Sequence, residues 1–177
     1  MAVFQTIRNF FLPDELVEPE IIVPAPPTDY EIRPLMEKHI KEILRLNLRC
    51  FKKGENYTKY TFNYLLNEPR TLSYRVVTPL DQIVRFFFVM AHENGTGHLT
   101  TIAVAPEHRR RGLAEKMLIH VENSLRNRDI NTITLEVRVN NTSAQSLYRN
   151  LNYSIVQRLN GYYSNGEDAF LMVKSLC

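Results

Sequence analysis

The sequence predicts an α/β (α+β) domain: a mixed central sheet of about six to seven strands flanked by about four helices. Three observations point there. Aromatic and β-branched runs at 72–77 and 83–90 are joined by a turn through Pro79 and Asp81, which reads as an antiparallel hairpin. Met36, Ile40, Ile43, Leu44, Leu48 and Phe51 recur at spacings of three and four, the period of an amphipathic helix. The second half alternates strand, helix and strand, which requires a right-handed crossover and a parallel pair near the middle of the sheet.

An arm, 1–28, precedes the domain, 29–177. Five of the nine prolines lie in that arm, and Pro24, Pro26 and Pro27 make a stiff, polyproline-like stretch. Val3, Phe4, Ile7, Phe10 and Phe11 sit at helical spacing before it. The arm either packs on its own domain, the reading favoured here, or docks on a partner. Residues 30–33 form a short strand stopped by Pro34. The first helix leads into a polar loop at 52–57 with Gly54 as hinge, and a short helix at 58–66 ends before Pro69. After the hairpin, Gly95 and Gly97 turn the chain into a strand at 98–104. A loop at 105–111 precedes a helix at 112–127 with Leu113, Met117, Leu118, Val121 and Leu125 on one face. The strand at 132–139 puts Ile133, Leu135, Val137 and Val139 on one face, and Thr134, Glu136 and Arg138 on the other. Asn141 suits the N-cap of a helix carrying Ala144, Leu147, Tyr148 and Leu151. Strands at 153–159 and 169–174 close the sheet around a turn at 161–168.

Composition removes several functions. With 177 residues the chain suits one domain. It has only six glycines and no G-x-G-x-x-G, so a standard dinucleotide fingerprint is absent. The one G-x-x-x-x-G, Gly161 to Gly166, is followed by Glu167 and Asp168 where a P-loop needs Lys and Ser or Thr. A net charge of +3 is too small for a nucleic-acid-coating protein. The apolar run 86–90 is too short to span a membrane, and the N-terminus lacks a signal pattern. Cys50 and Cys177 read as free thiols of a cytoplasmic protein. The five histidines form no metal-ligand pattern, so no metal is expected.

The strongest local signal is His108-Arg109-Arg110-Arg111-Gly112-Leu113-Ala114, between a strand's carboxyl end and a helix's first turn. Orphan N–H groups and the helix dipole favour an anion there. Gly112 and Ala114 leave room for a phosphate at the backbone, and the arginines add charge. The bland alternative is a solvated basic turn.

Arg-x-x-Gly-x-Ala, following Ile102-Ala103-Val104-Ala105-Pro106, resembles the acetyl-CoA signature of the GNAT acetyltransferase superfamily. Leu135-Glu136-Val137-Arg138, then Asn141, then Ser146-Leu147-Tyr148 is similar to RimI-type and archaeal-type protein N-terminal acetyltransferases, as is the tail 161–169. The likeness covers 29–176.

It implies a GNAT fold and acetyl transfer from acetyl-CoA to the α-amino group of a protein or peptide N-terminus, ribosomal proteins included. Acetylation of lysines or small amines, and a non-catalytic acyl-CoA-binding module, are the alternatives. The resemblance implies pyrophosphate contacts by Arg109, Arg110, Arg111, Gly112, Leu113, Ala114 and Glu115, and a coenzyme A contact by Asn141. An extended pantetheine chain can pair with an open strand edge, which assigns Ile102, Ala103 and Val104 as main-chain binders.

An α-amino group has a pKa near ~7.8 and must lose a proton, and a thiolate of pKa near ~8.5 leaves better when protonated. The resemblance gives these tasks to Glu136 as general base and Tyr148 as general acid. The bland readings are an exposed strand Glu and a core Tyr. Glu55 and Tyr57, in the loop at 52–57, and Tyr163, in the turn at 161–168, are the expected acceptor contacts.

Overall fold

The computed structural model describes residues 22–51 and 57–177. Along the chain come β1 (Glu31–Pro34), α1 (Ile40–Cys50), α2 (Lys59–Asn67), β2 (Thr71–Val77), β3 (Ile83–Ala91), β4 (Thr96–Val104), α3 (Leu113–Arg126), β5 (Thr132–Arg138), α4 (Thr142–Asn150), β6 (Ser154–Leu159) and β7 (Ala169–Ser175). The seven strands form one mixed sheet in the order β1-β2-β3-β4-β5-β7-β6. Only β4 and β5 pair in parallel, as the crossover through α3 demands.

Local chemistry explains where boundaries differ from the periodicity. β1 includes Pro34, opposite Tyr74; on an edge strand a residue without an N–H is tolerated. The first helix begins as a single 3-10 turn, Glu37–His39, and His39 Nδ1 accepts a bond from the Met36 amide at 3.0 Å. Thr58 caps α2 by accepting from the Thr61 amide. Gly97 lies inside β4 rather than in the preceding turn, paired with Ala91 and Ile133. A Cβ there would stand 2.9 Å from a Leu125 methyl, so glycine is what lets α3 pack close on the strand.

The helices cover the two faces separately. On one, Phe62 of α2 packs on Phe86 and Phe88 of β3 at centroid distances of 5.5 and 5.6 Å. On the other, Phe87 stacks on Tyr74, which meets His120 of α3. α4 lies on the α3 side: its Tyr148 ring packs on Tyr153, whose hydroxyl reaches Glu122 of α3. Here a buried charge cluster links the layers: Lys174 donates to Glu122 at 2.6 Å and Tyr153 donates to the same carboxylate at 3.1 Å.

What positions the site is a break in this sheet. β4 and β5 share three register pairs, Thr96 with Thr132, Gly97 with Ile133 and His98 with Thr134. Beyond them the strands diverge. The register between β3 and β4 shifts at the same level: Val89 faces Leu99 but Phe88 faces Thr101, so Thr100 is an extra residue. Such a bulge increases local twist and re-aims the strand that carries it.

Of the arm, residues 22–28 are described. Ala25 donates its amide to Glu107 O at 2.9 Å, and Arg111 bonds to the carbonyls of Ala25 and Pro26. The helically spaced residues 3–11 lie outside the described residues.

Candidate active site

The divergence of β4 from β5 opens a cavity of about 610 Å³. Thr100, Ile102, Glu136 and Arg138 line it from the two strands. Tyr57 lines it from the α1–α2 side, and Asn141 and Tyr148 from α4. The cleft therefore reaches through the sheet, with chemistry available on both faces.

Strand alternation puts Glu136 where the sequence predicts, away from buried Leu135 and Val137. Its side chain is 17% exposed, and its carboxylate lies 2.7 Å from His98 Nε2. That bond with His98 holds the carboxyl below its usual range, against burial, and a bond from Tyr162 adds to the effect. Glu136 is thus ionised at neutral pH. Tyr57 donates its hydroxyl to Thr100 O at 3.0 Å, and burial, then the Glu136 charge, push its pKa up.

Tyr148 sits across the sheet. It is 5% exposed, its ring packs against Tyr153, and burial pushes its pKa up to about 12. It is a core residue that also lines the cavity. Asn141 likewise combines two roles: its Oδ1 accepts from the Ala144 amide as N-cap, and it lines the cleft.

Tyr163 is held at the mouth. Arg138 lies 3.6 Å over its ring and pairs with Glu167, so the turn after β6 is fastened to β5 beside Glu136. Asp168 bonds Arg158 and the Gly161 amide, which makes it a turn-former. Glu55 and Gly54 lie outside the described residues.

The turn from β4 to α3 has the shape of an anion cradle. Arg110 and Gly112 both have positive φ, 62° and 69°. Gly112 is the N-cap and supplies no side-chain cap, so the first-turn N–H groups of α3 face outward. A Cβ on Gly112 would meet nothing within 4 Å. Arg109 and Arg110 are exposed, as is Glu115, while Leu113 is buried, leaving its backbone for a ligand. Arg111 departs from the expected pattern. Its guanidinium turns to Tyr30 and to the arm carbonyls instead of the cradle's open side. Ile102 and Val104 are partly exposed on the diverging limb of β4, while the Ala103 side chain is buried.

Two residues of this site escape sequence reasoning. His98 reaches Glu136 only through the β4–β5 register, which no periodicity encodes. Tyr162 reaches it through turn geometry. Among the described residues no cluster of His, Cys, Asp and Glu suits a metal ion, and no helix is long and apolar enough to cross a membrane.

Known proteins share this architecture. Residues 40–153 match the family model described as the Acetyltransferase (GNAT) family. An N-alpha-acetyltransferase of Saccharolobus solfataricus is 35% identical over 162 residues, covering 84% of this chain and 94% of the relative. A chain of the NatB acetyltransferase complex, bound to CoA and MES, superposes with a TM-score of 0.71 at 31% identity, over 83% of this chain and 99% of that one. The Escherichia coli ribosomal-protein-S18-alanine N-acetyltransferase shares the fold, with a TM-score of 0.76 at 24% identity over 84% and 94% of the two chains. The resemblance carried by the cradle and strand motifs and the match across 40–153 agree, and the chain belongs to the GNAT acetyltransferase family.

Proposed function

We propose that this enzyme transfers acetyl from acetyl-CoA to the free α-amino group of a protein N-terminus. The observation that carries the reading is the cleft through the divided sheet, with an ionised carboxylate on one face and a protonated phenol on the other. The N-alpha-acetyltransferase relative and the CoA-bound neighbour support it.

Each element then has a task. The cradle at 109–115 takes the pyrophosphate through first-turn amides, with Arg109 and Arg110 adding charge. The limb of β4 at 102–104 offers backbone groups to the pantetheine chain. Tyr57, Tyr163 and the loop containing Glu55 receive the peptide.

Glu136 and His98 act as one unit. A carboxylate held below its usual range is a weak base for an ammonium of pKa near ~7.8, so the hydrogen-bonded His98 ring beside it enters the proton path. The proton leaving the amine therefore belongs to the pair rather than to either side chain. Tyr148 returns a proton to the departing thiolate. A phenol at about 12 is a roughly three-thousand-fold weaker acid than a thiol near ~8.5, so this transfer needs help from its surroundings. The cytoplasmic setting expected from the sequence belongs to the same proposal.

The test is thioester turnover on peptides that differ in one feature. A peptide with a free α-amine should be acetylated, and its Nα-blocked, lysine-containing twin should not. Ribosomal-protein N-termini form one arm of the panel. Preference for the blocked twin would move the reaction to lysine, and acetyl-CoA binding without turnover on any peptide would make the chain a binding module.

A further inference from the structure

We propose that Arg85 is a positioning residue for Tyr148, making the phenol a better proton donor to the departing thiolate. The inference rests on the reading of Tyr148 as general acid.

Arg85 is 1% exposed, a full charge inside the core. Its register partners are Val76 on β2 and Val104 on β4. Alternation along β3 puts it on the same face as Phe87, which is the face of α3 and α4. Val104 is the last residue of β4, on the limb that has left β5. Arg85 thus lies beside the open end of the limb, one same-face cross-strand pair from cavity-lining Ile102, on the sheet face that carries Tyr148.

Two of its nitrogens, Nε and Nη1, are buried with no acceptor among the described residues. Burial lowers its pKa only to about 10, so the guanidinium stays charged at neutral pH. Folded proteins normally give a buried charge a partner. This one does so elsewhere: Lys174, the other deeply placed cation of this face, has Glu122 at 2.6 Å. Among the described residues Arg85 has no such carboxylate. The ionisable group whose charge it feels is Tyr148, and the effect is mutual: Arg85 favours the phenolate, and the phenolate favours the guanidinium.

The anion that satisfies Arg85 is therefore one that forms during turnover. As the amine nitrogen bonds to the acetyl carbon, the C–S bond breaks and its electron pair leaves on sulfur. The Tyr148 proton passes to that sulfur and leaves a phenolate facing Arg85. The nitrogen gives up two protons, one from the ammonium before it attacks and one as the amide forms; both pass through the Glu136–His98 pair to solvent, and solvent reprotonates Tyr148.

A double-mutant cycle with Y148F tests this in the full chain, using acetyl-CoA and an acceptor peptide. R85M keeps the side-chain volume close and removes an unpaired charge, and R85Q, which keeps an N–H donor, serves if R85M does not fold. R85M should lower kcat roughly tenfold while both KM values stay within about twofold. In the Y148F background the same change should alter kcat by less than about twofold. An equal loss in both backgrounds, a change confined to KM, or no loss at all would overturn the proposal. A Y148F enzyme with wild-type kcat would instead remove Tyr148 as the acid, which the single variant shows by itself.

Discussion

Gly112→Val separates backbone strain from ligand exclusion. Gly112 sits at φ 69° and ψ 2°, and an added Cβ meets no protein atom within 4 Å. Among the described residues the cost at the Cβ is the left-handed conformation, about 1–2 kcal/mol for a branched residue. In a chain of this size that lowers Tm by about 2–8 °C. The isopropyl group, however, fills the open space before the first turn of α3. Acetyl-CoA affinity measured by titration calorimetry should fall at least roughly a hundredfold, far beyond what mild destabilisation produces. Gly95 supplies the matched control. Its φ is 76°, its surroundings are equally open, and it lies in the turn between β3 and β4. Gly95→Val should cost a similar Tm shift and leave acetyl-CoA affinity within about twofold. If Gly112→Val binds acetyl-CoA as tightly as the unchanged chain, the pyrophosphate does not occupy that space and the cradle is misassigned.

Glu136→Gln should cut kcat by roughly a hundredfold or more while acetyl-CoA affinity stays within about twofold, since Glu136 is remote from the cradle. Its carboxyl titrates below its usual value in the fold. The interaction with His98 therefore stabilises the protein above the unfolded carboxyl's pKa of about 4.3 and is lost as pH falls through the folded value. The Tm difference between the two proteins should close on acidification through that window; a constant gap would contradict the pairing. Glu122→Gln leaves Lys174 uncompensated in the core and should cost about 3–5 kcal/mol by chemical denaturation. Adding Lys174→Met should recover most of it, and a single-variant loss below about 1 kcal/mol would show the cluster is not under tension.

Periodicity carries much of this fold because β4 and β5 alternate strictly and α3 buries one stripe, although β3 is buried on both faces and β6 is exposed along its length. The β5 alternation was enough to point Glu136 away from Leu135 and Val137. The α3 stripe Leu113, Met117, Leu118, Val121 and Leu125 is buried throughout. What stays hidden is set between elements. His98 meets Glu136 because β4 and β5 pair over a stretch too short to leave a repeating pattern. Gly97 resembles turn glycine in sequence, and only the approach of Leu125 shows why a strand residue there has no side chain. The basic run reads as three equivalent phosphate ligands. Positive φ at Arg110 reverses the chain between neighbours, so Arg111 points to the arm while Arg109 and Arg110 remain exposed. Arg85 interrupts an apolar run, and strand alternation alone offers no reason to bury it.

The short seam between β4 and β5 bears on cooperativity. Mechanically the sheet is two plates, β1–β4 and β5–β7, joined by three rungs and by the crossover helix. Each plate keeps its own hairpins, so the hydrogen bonding that makes them one body is concentrated at the closed end of the gap. A pantetheine chain along 102–104 on one side and a peptide on the other would add rungs the ladder lacks. Substrates would then enter as missing strands, and the protein's rigidity would depend on how much of its own sheet its ligands had completed.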